Sequence, residues 1–348
     1  MSTRQECDWI KEKEEKRKIM ATDPFSCFDS DDEGKNEETS RDCLNLDDNA
    51  VRDENCGVLA FHHNTEQSLL MHVKNQIEKS TDRNTPKHIQ VLNHIDKFCQ
   101  TRHWMMCIGP EKGKIISGCL EKILNTELKK NYSIQGRITF ICIELGTYCG
   151  YGSILLAGIL KDNPVFLNHF DFHLFTVEIN PQFAEIALDM IKLAEVDDIV
   201  KIIQNDLFLD GSTGHVGELL CDKIKPVIPS PRIDFLLIDH DKDSYLADLQ
   251  RIEKCDLLQK GSTVVADNVI FAGINDYINY MREKESAGNV STVTHMAHVE
   301  YSAFTHEYED GVGKLTHSIK SCCVFNCDYH VSQLFSFKTN LEITHYVA

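Results

Sequence analysis

Cys142-Ile143-Glu144-Leu145-Gly146-Thr147-Tyr148-Cys149-Gly150-Tyr151-Gly152-Ser153 is the stretch on which the fold turns. The apolar run Ile138 to Ile143 reads as a strand that meets an acid and a glycine turn, and Ile154 to Leu160 then reads as a helix. This is the first strand-turn-helix unit of an open parallel α/β sheet, in which ligands sit beyond the carboxyl ends of the strands. Glycines at 146 and 150 let the backbone turn sharply and approach a ligand, having no Cβ. Taken alone the glycines do not select a ligand, because several nucleotide-binding families share this spacing and an empty turn is equally compatible with it.

The same pattern recurs downstream. Phe175-Thr176-Val177 runs into Glu178 and then Asn180-Pro181, Val200 to Ile203 into Asn205-Asp206, Phe235 to Ile238 into Asp239-His240, and Thr263 to Ala266 into Asp267-Asn268. Strands alternating with helical patterns predict a doubly wound, mostly parallel α/β sheet. The polar or proline-bearing stretches 162–171 and 211–231 are expected to be surface loops. Upstream, Leu69, Val73 and Ile77 mark a helix face. Ile89, Leu92, Ile95 and Phe98 mark a second helix, entered through Thr85-Pro86, and Ile115, Ile116, Cys119, Ile123 and Leu124 a third after Gly109-Pro110. These helices predict a cap over one side of the site.

Composition narrows the function. A net charge of −18 argues against nucleic-acid binding, which rests on neutralising phosphates. Residues 1–65 hold 17 acids against nine bases and read as a disordered acidic head; the rest of the chain is still acidic by ten. No run of eighteen apolar residues marks a membrane span, and residues 1–6 open without the apolar core of a signal peptide. Fourteen scattered cysteines with no Cys-x-x-Cys pair predict reduced thiols in a cytoplasmic protein.

Four acids at strand ends need partners if buried. Each could merely cap the following helix, but together beside a glycine turn they point to a site. Glu178, one strand after the turn, suits a ribose diol. Asp239, Asp267 and Asn268 offer three oxygens to a hard cation such as Mg2+; Lys242 would stand over it, either as a solvated lysine or, with its pKa lowered beside a metal-bound hydroxyl, as a general base.

These residues resemble the catechol O-methyltransferases, which are metal-dependent O-methyltransferases using S-adenosyl-L-methionine. The resemblance spans roughly residues 68–316. It rests on His103 to Gly109 with Lys112-Gly113-Lys114, Glu144 to Tyr151, Glu178 to Pro181, Leu237 to Asp243, and Lys260-Gly261 with Ala266 to Ile270. It implies a seven-stranded, Rossmann-like class I methyltransferase domain over 66–320, followed by an extension over 321–348. It also implies a monomer acting on a small-molecule catechol without nucleic acid. By position, Asp239, Asp267 and Asn268 match the magnesium ligands and Lys242 the base. Met106, Ile108, Glu144, Gly146, Tyr148, Gly150, Ser153, Glu178, Asp239 and His240 match the cofactor site. Trp104, Asp241, Lys242, Asn268 and Glu300 fall to the acceptor, with Glu300 (or its rival Glu307) binding the second catechol hydroxyl.

The sequence departs from the family where Asp241 replaces a tryptophan, Ala272 a proline wall, and Gly152 a serine, whose hydrogen bond to the cofactor's carboxylate would then be lost or moved to Ser153. Leu207 and Phe208 replace polar residues near the adenine. Beyond His317 the chain outlasts the family, and Cys322, Cys323, Cys327 and His330 read as part of an extra strand or tail rather than a metal knot. Three alternatives remain at this level: a related enzyme for bulkier or more polar catechols, a non-catalytic cofactor-binding protein, and a nicotinamide oxidoreductase.

Overall fold

The structure is a computed structural model that describes residues 65–131, 136–204, 216–226, 232–270, 272–298, 301 and 338–347. Three helices come first: α1 (Thr65–Lys79), α2 (Lys87–Thr101) and α3 (Gly109–Lys130). Leu69, Leu70 and Val73 of α1, Val91, Ile95 and Phe98 of α2, and Ile116, Leu120 and Leu124 of α3 are buried on one face of the sheet. Ile89 and Leu92 are only half-buried, so the buried face of α2 is turned toward Val91 relative to the expected stripe.

The sheet strands are β1 (Ile138–Leu145), β2 (Phe170–Glu178), β3 (Val200–Gln204), β4 (Phe235–Ile238), β5 (Thr263–Asp267), β6 (Val290–His298) and β7 (Lys338–Tyr346). Their order is β3-β2-β1-β4-β5-β7-β6. The first five pair in parallel, and β7 pairs antiparallel with both β5 and β6. The seven-stranded, doubly wound architecture is therefore present. Between the strands run α4 (Tyr151–Asp162), α5 (Pro164–His169), α6 (Pro181–Leu193), α7 (Val216–Ile224), α8 (Tyr245–Lys254) and α9 (Asn275–Ser286). Side chains alternate across the sheet, separating a core under α1–α6 from a second core under α7–α9.

Both expected surface loops contain helices. Within 162–171, Asn163 accepts hydrogen bonds from the Val165 and Phe166 N–H groups and starts α5, whose Phe166 is buried; β2 already begins at Phe170. Within 211–231, Val216, Leu220 and Ile224 recur every fourth residue and bury one face of α7. A four-residue apolar period overrode the polar composition in that case. Residues 321–348 supply β7, so this extension contributes a strand inside the sheet, between β5 and β6. The acidic head and the Cys322-to-His330 stretch lie outside the described residues.

The register places one row of residues across four strands: Val177, Leu145, Ile238 and Ala266 are neighbours. The next residue on each chain is Glu178, Gly146, Asp239 and Asp267. Gly146 has φ +95°, and a Cβ there would fall 2.4 Å from the Asp239 carbonyl oxygen. Gly146→Ala should destabilise the domain by about 2–4 kcal/mol, measured by urea unfolding; an unchanged midpoint would contradict this close approach.

Candidate active site

Glu178 lies at the end of β2. Its carboxylate accepts the Tyr148 N–H at 2.8 Å and the Asn180 N–H at 2.9 Å, and burial pushes its pKa up against those hydrogen bonds. One backbone donor on each oxygen fixes the carboxylate while leaving acceptor capacity for a diol. Tyr148 holds the left-handed φ of +48°, which a bulky residue rarely adopts. Three contacts over-determine it: the N–H on Glu178, the ring edge-on to Phe183 at 5.2 Å, and the hydroxyl donating to Glu66 of α1 at 2.9 Å.

Glu144 sits two rows below the rim, because β1 continues through Leu145 before the turn. It is buried; Ser153 and Thr176 (2.7 Å) donate their hydroxyls to its carboxylate, and Thr147 and Thr176 share a hydrogen bond of 2.5 Å. Burial raises its pKa to about 8, opposed by the two hydroxyl bonds and assisted by Asp239 and Glu178. At Gly152 the Glu144 carboxylate comes close: a Cβ there would lie 2.0 Å from Glu144 Oε1, so a larger residue would require that carboxylate to shift. Ser153 is buried behind the turn with its hydroxyl donated to Glu144.

Across the row, Lys242 donates to Asp239 Oδ1 at 2.8 Å and to the Tyr245 hydroxyl at 2.6 Å. The Tyr245 hydroxyl in turn donates to the Asp267 carbonyl at 3.1 Å, tying the two strand ends together. His240 stacks on Tyr245 at 5.1 Å, and its Nε2 meets Asp248 at 2.9 Å, which orients the ring. Asp267 is buried, and its Oδ2 accepts the buried Lys112 ammonium at 2.5 Å and the Asn268 amide at 3.0 Å. Asn268 holds φ +60°, a conformation that asparagine tolerates better than most residues. Its N–H donates to the Asn340 carbonyl at 2.8 Å, while Asn340 Oδ1 accepts the Ile270 N–H at 2.8 Å.

The structure thus brings Gly146, Tyr148, Gly150, Glu178, Asp239, His240, Lys242, Asp267 and Asn268 to one rim. Ile108 reaches the same turn, its Cδ1 lying 3.0 Å from the place of a Gly152 Cβ. Met106 is exposed and Trp104 half-buried against the helical core. Asp241 is exposed and accepts the Ser244 hydroxyl at 2.8 Å, and Ala272 is exposed beyond Asn268. Glu300, Glu307, Leu207 and Phe208 lie outside the described residues. Lys112, Tyr245, Asp248, Glu66 and Asn340 were assigned no role from sequence. Only Lys112, next to the glycine of Lys112-Gly113-Lys114, carried a signal there.

A family model described as O-methyltransferase matches residues 137–287. Catechol O-methyltransferase B of Danio rerio is 31% identical over 238 residues, covering 68% of this chain and 75% of that protein. The Mus musculus catechol O-methyltransferase is 29% identical over 221 residues, covering 64% and 69% respectively. A probable O-methyltransferase of Mycobacterium tuberculosis is 30% identical over 211 residues, covering 61% and 78%.

The Glu144 carboxyl generates a prediction. Its folded pKa of about 8 lies above the ordinary 4.5, so the ligand-free fold loses stability as pH rises between those values. Glu144→Gln removes that slope. Relative to the wild type, the variant should gain a few kcal/mol at pH 9 and nothing near pH 4, read by urea unfolding; a pH-independent difference would refute it.

Proposed function

The chain belongs to the O-methyltransferase family, as a catechol O-methyltransferase-like enzyme, and we propose that it methylates one hydroxyl of a vicinal diphenol using S-adenosylmethionine and Mg2+. The observation that carries this reading is the Lys242 ammonium 2.8 Å from Asp239, on the same rim as Asp267 and Asn268. An amine beside a cluster of oxygen donors is what deprotonation of a metal-held phenol requires.

The donor set fits the metal. Asp239, Asp267 and Asn268 supply only oxygens, which suits a hard cation, and the Lys112 ammonium already lies 2.5 Å from Asp267 and 3.4 Å from Asn268. Among the described residues, no group of three His, Cys, Asp or Glu side chains forms a rival metal site. When bound, S-adenosylmethionine supplies an electrophilic sulfonium methyl and Mg2+ makes the diphenol hydroxyl more acidic.

The chain's own residues do the rest. Glu178 holds the ribose diol. The Gly146 turn leaves room for the methionine portion, and Tyr148 walls it, braced by Glu66. His240, oriented by Asp248, takes the adenine edge. Lys242 Nζ, once its own proton has passed to solvent, receives the phenol proton, with Tyr245 fixing the amine. Met106 and Ile108 line the cofactor from the helical cap, and Trp104 borders the acceptor. Asp241 and Ala272, both exposed where the family has bulkier groups, leave a wider and more polar opening. This favours bulkier, more polar catechols over small catecholamines. No helix among the described residues is long and apolar enough to cross a membrane.

Lys242→Ala should keep cofactor affinity by calorimetry while kcat falls about 10^2–10^4-fold; turnover at the wild-type rate would remove Lys242 as the base. Asp239→Ala should eliminate the Mg2+-dependent rate in a radiolabelled methyl-transfer assay over a catechol panel. Full wild-type activity in chelator would overturn the metal role.

A further inference from the structure

Lys112 stands in the first turn of α3, where the helix dipole disfavours a cation, and it is 1% exposed. Lysine is almost never buried so fully without a charged partner. Its partner is Asp267 at 2.5 Å, with Asn268 Oδ1 at 3.4 Å, so the ammonium reaches toward two of the three oxygens assigned to the metal. Asp239 has a second ammonium, Lys242, at 2.8 Å. The two carboxylates are thus balanced by two lysines from different elements, one on the cap and one past β4.

We propose that Lys112 is the internal counter-ion of the metal site: it holds Asp267 and Asn268 in their ligand positions without a metal, and it limits the affinity of the free protein for the metal. The inference rests on the metal-dependent reading above. Two carboxylates neutralised in advance attract a divalent cation weakly. Tight retention then needs negative charge from the acceptor's oxygens. The metal is therefore exchangeable between turnovers and firmly held only with substrate present. Lys112 is a positioning residue in this scheme and transfers no proton.

The test compares wild type, Lys112→Met and Lys112→Arg as full-length chains, by thermal melting in chelator and in Mg2+ and by calorimetric Mg2+ titration without substrate. Lys112→Met leaves a buried carboxylate uncompensated and should melt about 5–10 °C lower in chelator. Mg2+ should restore most of that loss and bind about tenfold more tightly than to wild type. Lys112→Arg, which keeps the charge, should bind Mg2+ as weakly as wild type. If wild type binds Mg2+ and Lys112→Met binds it no more tightly, the role of Lys112 is overturned while the metal reading stands. If neither binds it, both fall. Should Lys112→Met not fold in chelator, folding restored by Mg2+ counts in favour. Failure of both Lys112→Met and the milder Lys112→Gln to fold in saturating Mg2+ counts against, because the metal should then replace the missing charge.

Discussion

The site depends on the parallel register of β2, β1, β4 and β5. Because Val177, Leu145, Ile238 and Ala266 share a row, the chain delivers Glu178, Gly146, Asp239 and Asp267 to successive positions along one rim. Neighbouring strands lie about 4.8 Å apart, close enough for three acids to feel each other's charge. Each is compensated differently: Glu178 by backbone N–H groups, Asp239 by Lys242, Asp267 by Lys112. The one place on the row that carries no side chain is Gly146, where the Asp239 carbonyl leaves no room for one.

The helical cap is fastened to this rim by polar contacts rather than by apolar packing alone. Glu66 of α1 meets Tyr148, Lys112 of α3 meets Asp267, and Glu111 of α3 meets His298 at the end of β6 at 3.0 Å. Asp96 of α2 accepts the Tyr301 hydroxyl at 2.9 Å and faces Tyr151 at 3.4 Å; burial lifts its carboxyl to about 6, against the two tyrosine bonds. Two of these contacts, Glu66 with Tyr148 and Lys112 with Asp267, fall on rim residues.

Most of the fold was legible because apolar runs ended at acids or glycines. Those boundaries located β1, β4 and β5 within two residues. The partners that complete the site were not legible, since pairing across the chain leaves no local mark: Lys112 and Asp267 are 155 residues apart. β7 is only half legible, as an extra strand or tail beyond His317 with neither its position nor its inner place in the sheet marked. Its Asn340, Glu342 and Thr344 are buried yet polar, so the strand reads as half-solvated. Their partners lie on other elements: Asn340 on the turn after β5, Thr344 on Thr292, Glu342 on Arg282. By composition α5 and α7 read as loops; the Asn163 cap and the Val216-Leu220-Ile224 period are what make them helices.

The position of β7 bears on how the domain is made. Spatially it is an inner strand, flanked on both sides, and its Asn340 carries the turn that presents Asn268. In order of synthesis it comes last of the seven, with residues 299–337 intervening after β6. Until it emerges, β5 and β6 have no common neighbour and the rim lacks one support. Domains generally fold as units; here the sheet is continuous from β5 to β6 only through the strand made last, which also supports the Asn268 turn.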